Sequence, residues 1–72
     1  NVFIDEGAAN ALLKNASLLS KGVVSVDKSF KIGDGLSIVF NKKIVAKGIA
    51  KTDSTTVGES SVLIHKDDLI IL

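Results

Sequence analysis

Only one stretch of this 72-residue chain repeats its apolar residues at helical spacing: Ala8, Ala9, Leu12, Leu13 and Ala16. Asp5 is a favoured N-cap just ahead of it, and Glu6 puts an acid where the helix dipole favours one. Lys14 suits the opposite end, and Asn15 can close it. The spacing predicts a helix over about 6 to 14. Elsewhere the apolar residues fall in short runs rich in β-branched types, separated by turn-forming residues. Many short strands with turn signals between them suggest a small barrel or sandwich.

The runs Val2-Phe3-Ile4, Val23 to Val26, Leu36 to Phe40, Ile44 to Thr52, Val62 to His65 and Leu69 to Leu72 read as five or six strands. Ser17 to Gly22 is a turn-like connection with two leucines to bury, and Asp27-Lys28-Ser29 is a turn. Gly33-Asp34-Gly35 breaks the chain before Leu36, because glycine tolerates positive φ and aspartate bonds its own local backbone. Leu36, Ile38 and Phe40 share one face. Asn41-Lys42-Lys43 is a hairpin turn. Along the next strand one face carries Ile44, Ala46, Gly48 and Ala50, all but the first of them small residues that fit a tightly curved sheet. Gly48 there marks a kink or a close backbone approach. The polar segment 52–60 reads as a mobile loop. The last run is expected to be buried on both faces or cut short at a domain end.

Composition narrows the classes. With no cysteine there is no disulfide framework and no thiolate metal site. No apolar run approaches the roughly 18 residues of a membrane span. The chain opens without Met and without a basic leader, and is read as a single domain of residues 1–72, a fragment of a longer cytoplasmic protein. Net charge is +1, and all nine basic residues are lysine. Bidentate arginine reading of guanine is therefore absent, which disfavours sequence-specific DNA recognition.

Four segments carry a resemblance. "DEGAANALL" (5–13), "SLLSKGVVSVDKSFKIGD" (17–34), "IVAKGIA" (44–50) and "VLIHKDDLIIL" (62–72) occur in the order and spacing of a PUA domain. That module is named for pseudouridine synthases and archaeosine transglycosylases. Within the family, Asp5-Glu6-Gly7-Ala8 and Ile64-His65-Lys66-Asp67-Asp68-Leu69 look most like the PUA domain that ends bacterial glutamate 5-kinase. PUA domains of archaeal RNA-modifying enzymes are the other candidates. The chain departs from the family in lacking a proline near Ser20-Lys21. It also has only the short 52–60 segment ahead of His65. The resemblance implies a mainly β fold with one or two short helices, a pseudo-barrel of mixed strands. It implies an RNA-binding accessory module that contacts structured RNA such as tRNA or rRNA for a catalytic domain elsewhere. The alternative is a regulatory or packing module of a metabolic enzyme such as glutamate 5-kinase, docked on a catalytic domain of the same chain. In neither setting is the domain an enzyme or a cofactor carrier.

In PUA domains that bind RNA, the helix and the turn after it form part of the contact surface. Gly7, Lys14, Ser17, Lys21 and Lys66 are accordingly the candidate RNA contacts. Gly7 sits in the first helical turn, where a missing side chain would let an RNA backbone approach; it would equally serve a close helix–strand contact. Lys14, Lys21 and Lys66 would form a basic patch if they project from one side. Phe3, Phe30 and Phe40 are expected in the core, leaving no aromatic platform for single-stranded bases. Shape and backbone recognition of duplex RNA suits this composition better. His65 with Asp67 and Asp68 is a weak metal set, and the two aspartates are expected to cap the turn before Leu69. Ser54 to Gly58 lacks phosphate-loop spacing.

Overall fold

The computed structural model describes residues 1–72. Seven strands and one α-helix follow in the order Val2–Ile4 (β1), Glu6–Leu13 (α1), Leu18–Leu19 (β2), Val23–Val26 (β3), Gly35–Phe40 (β4), Lys43–Ile49 (β5), Val62–Ile64 (β6) and Leu69–Ile71 (β7). Single 3-10 turns lie at Ser20–Gly22, Ser54–Thr56 and Lys66–Asp68. The main sheet runs β3-β1-β4-β5-β7, and β2 pairs with β6 in a separate ribbon. β1 is parallel to β4 and every other pairing is antiparallel, so the sheet is mixed.

The helix forms as its sequence predicts. Asp5 stays extended and its carboxylate accepts from the Ala8 amide at 2.7 Å. Asn15 takes a left-handed φ of +62° and ends the helix. Only Leu12 of α1 is fully buried, and it meets Leu18, Ile38, Leu63 and Ile64 in one core. Each aliphatic side chain buried that completely is worth roughly 1.5–3 kcal/mol. Phe30 is buried and Phe40 packs against the core, in line with the sequence reading. Phe3 is half-buried.

The Gly33-Asp34 turn is architectural. Gly33 adopts φ +93°, and the Asp34 carboxylate accepts from the Lys31 amide at 2.9 Å. Backbone bonds between this turn and Ala50 fasten it to the far end of β5. At the other end, Asn41 and Lys42 both take positive φ, at 54° and 67°. Two left-handed residues match the twist of a two-residue hairpin.

Several expectations change in three dimensions. The strands number seven, because Leu18–Leu19 pairs with β6 instead of forming only a turn. β5 ends at Ile49, and its expected inner face holds for Ala46, Gly48 and Ala50 but not for Ile44. Ile38 pairs with Ala46 while Val39 pairs with Ile44, so Val45 is an extra residue. This bulge switches the alternation, turning Val45 toward the core and Ile44 outward. The 52–60 segment is held by hydrogen bonds: Ser54 N–H donates to Phe30 O, and Gly58 N–H donates to Ser20 O. Asp67 and Asp68 do not cap the turn before Leu69; Nδ1 of His65 accepts from the Asp67 amide at 3.1 Å. β7 is an end strand whose Ile70 is 67% exposed, so it is not buried on both faces.

A candidate nucleic-acid interface between the helix and its following turn

The Ser20–Gly22 turn lies directly against α1. A Cβ on Gly22 would stand 2.6 Å from that of Ala8, closer than real side-chain atoms come. The Asp5 amide donates to Gly22 O at 3.0 Å, fastening the start of the helix to the end of the turn. Between them opens a cleft of about 380 Å³, lined by Gly7, Ala8, Ala11 and Leu19 with Ser17, Lys21 and Asp5. Its walls are mostly small or apolar, and it carries one lysine and one carboxylate.

The floor is fixed from behind. Ser20, fully buried, donates its amide to Ser61 O and accepts from Gly58 N–H. Its hydroxyl lies 3.2 Å from that of Thr56 and 3.3 Å from that of Ser61. Buried polar groups need such partners, and no buried side-chain nitrogen or oxygen is left without one. Asp53 shapes the same segment by accepting from the Thr55 hydroxyl and amide. The hydroxyl bond, followed by the amide bond, holds the Asp53 carboxyl below its ordinary range.

The expected site residues divide. Gly7, Ser17 and Lys21 line one cleft. Lys66 joins it indirectly: its amide donates to Ser17 Oγ at 2.9 Å, and it borders a neighbouring hollow with Asn15 and Ala16. Lys14 is the C-cap of α1 and does not line the cleft. Gly7 makes no tight contact, since a Cβ there would meet only Asp5 Oδ1 at 3.4 Å. The close helix contact belongs instead to Gly22. Sequence reasoning missed Gly22 and Ser20. Nothing local marks either residue, because Gly22 answers to Ala8 and Ser20 to residues about 40 positions away.

The chain matches the PUA domain family across residues 1–64. It is 32% identical to glutamate 5-kinase 2 of Pseudoalteromonas translucida and 31% identical to glutamate 5-kinase of Thermobifida fusca, with 99% and 100% of the chain covered. These matches span about a quarter, 24%, of each kinase. The first runs over 90 residues against 72 here, so the relative is longer within the matched region. Among solved structures, a PUA domain from Aeropyrum pernix K1 in a tartrate complex superposes with a TM-score of 0.73 at 31% identity. It covers 99% of this chain and 40% of that one. A PUA domain protein from Thermoplasma acidophilum gives 0.69 at 33% identity, covering 89% and 46%. With the family match, the kinase relatives and the superposed fold in agreement, this chain belongs to the PUA domain family.

Proposed function

We propose that this PUA domain is an RNA-binding accessory module, a single unit of residues 1–72 serving a catalytic region elsewhere in a longer cytoplasmic protein. The observation that carries the reading is the cleft beside α1, where Gly7, Ser17 and Lys21 converge. At Gly7 no side chain stands between the helix backbone and an approaching strand. Lys21 supplies a phosphate contact and Ser17 a hydroxyl, while Lys66 extends the basic edge past Ser17. Lysines and backbone groups recognise shape and phosphates, which suits structured RNA such as tRNA or rRNA and not base-specific reading of DNA.

The test is a titration of the domain against bulk tRNA, followed by fluorescence anisotropy at low and moderate salt. Saturable binding that weakens with salt is expected, because phosphate contacts release counterions. Lys21→Glu is expected to weaken it most, Lys66→Glu less and Lys14→Glu least. The absence of saturable binding at low salt would overturn the proposal.

A second reading has its own observation. An almost wholly apolar groove lies between the end of α1 and β7, where Leu13 is 74% exposed and Leu72 67% exposed beside Phe40 and Val45. Exposed apolar ground of this kind suits domain packing. It favours a regulatory or packing module in a protein such as glutamate 5-kinase, seated on that protein's catalytic region.

A further inference from the structure

The outer face of the main sheet has a chemistry of its own. Residues directly opposite in neighbouring strands share a face, as do residues two apart in one strand. Lys47 is opposite both Ser37 of β4 and Ile70 of β7, and Ile49 follows it on the same side. Ile49 is 47% exposed, Ile70 67% and Ile32 71%. Two adjoining shallow hollows share Ile49 and Asp68. One also takes in Lys47 and Ile70, the other Ile32, Lys51 and Asp67.

The charges around these isoleucines are of both signs and find little partnership within the chain. The one ion pair joins the Asn1 amino group to Asp27, and the His65 imidazole stands 3.5 Å from the Asp67 carboxylate. Lys47, Lys51 and Asp68 are unpaired. The lysines stand on and just past β5, whereas the aspartates stand on the 3-10 turn that leads into β7. A two-fold contact requires a face to complement itself. Ile70 lies opposite Lys47, and Asp68 precedes the Leu69 that faces Gly48, so a two-fold axis along the line from Ile49 to Ile70 sets Lys47 of each copy toward Asp68 of the other. The groove beside α1 lacks this property. Lys14 follows Leu13 there, and Lys43 pairs with Phe40, with Lys42 beside it. The one acid on that helical stripe is Glu6, about two turns from Leu13.

We infer that the face of Ile32, Ile49 and Ile70 docks a second copy of this chain, through an isologous contact ringed by Lys47, Lys51, Asp67 and Asp68. It shares no residue with the cleft proposed for RNA, so the two readings stand or fall separately. A face on so small a domain buries less than a standard interface, and the dimer is a transient one.

Sedimentation velocity of the 72-residue chain from about 10 µM to about 1 mM tests this, a range set by the affinity of a transient contact. A reversible monomer–dimer equilibrium is expected, and Ile49→Glu is expected to raise its dissociation constant at least tenfold. K47E/K51E and D67K/D68K are each expected to be monomeric alone and to form a one-to-one dimer when mixed. Adding Ile49→Glu to both is expected to abolish that mixed dimer, which separates docking on this face from attraction between opposite net charges. All these side chains point outward, and an unchanged thermal melt by circular dichroism confirms that each variant is folded. A wild-type chain that stays monomeric across the range would overturn the inference. So would charge-reversed variants that fail to pair, or a mixed dimer that survives Ile49→Glu.

Discussion

The cleft beside α1 and the corner where β5 passes β6 and β7 are built by the same device and put it to different use. In each, a glycine lets two elements approach more closely than side chains allow. At Gly22 the obstacle is the methyl of Ala8, on a helix that cannot yield locally. At Gly48 a Cβ would stand 2.7 Å from Ile64 Cγ2 and 2.8 Å from the carbonyl oxygen of Asp68. The corner is closed, with Ile64 fully buried, whereas the cleft stays open to solvent along the Gly7 side. The same close approach thus seals a core in one place and shapes an open cleft in the other. What separates them is whether the space beyond the contact is filled by side chains.

That comparison can be broken at the corner first. Gly48→Ala forces a methyl against a backbone carbonyl as well as an isoleucine, and is expected to destabilise the fold by about 3 kcal/mol, the upper end for overpacking. Urea denaturation followed by circular dichroism measures it; a loss below about 1 kcal/mol would mean the corner is looser than its geometry. Gly22→Ala meets one obstacle and is expected to cost about 2 kcal/mol. Its sharper test is the Ala8→Gly background, where the obstacle is gone and most of the added cost should vanish. A cost undiminished in that background would place the strain somewhere other than the helix–turn contact.

Gly7 supplies the contrast within the cleft. Its missing side chain leaves room, so Gly7→Ala is expected to stabilise the helix by roughly 0.5 kcal/mol, through the smaller conformational freedom of alanine in the unfolded chain. If RNA approaches the helix here, the same variant weakens tRNA binding while raising the melting temperature. Tighter or unchanged binding would remove Gly7 from the interface.

The smallest effect concerns the segment that backs the cleft. The Asp53 carboxyl is depressed below its ordinary value by the Thr55 hydroxyl and amide. A depressed carboxylate contributes stability above its unfolded pKa and loses it as pH falls through the folded one. The segment 53–61 should therefore keep its structure to about pH 4 and loosen below that. The Thr55 amide resonance, followed by NMR through an acid titration, should move with a midpoint below that of a free aspartate. In Asp53→Asn, where the amide oxygen can still accept from Thr55, that acid transition should be missing.

Much of this architecture was legible in the chain because it depends on neighbours in sequence. The helix and both its caps, the Gly33-Asp34 turn, the hairpin at Asn41-Lys42 and the small inner face of β5 follow from spacing and turn chemistry over a few residues. The Gly48 close approach was marked by a glycine within a strand pattern. Ile44 was assigned to the wrong face because a bulge at Val45 inverts the alternation, and a bulge depends on the register with a partner strand. The turn before β7 was assigned to its aspartates, although the nitrogen that accepts there belongs to the preceding histidine. Of the candidate contacts, Gly7, Ser17 and Lys21 converge in one cleft, while Lys14 lies outside it.

The sequence by itself determined the single helix with its ends and a mainly β class of fold, since these rest on local periodicity, and the order of its short motifs carried a resemblance to PUA domains. Only the tertiary structure decided which lysines share a surface with Gly7, and that Gly22 and not Gly7 makes the tight helix contact. It alone showed that Ser20 is the hub tying residues 56–61 to the cleft floor. Those outcomes depend on residues tens of positions apart meeting within a few ångströms. Such meetings are set by how the sheet closes around its core, and no spacing along the chain encodes them.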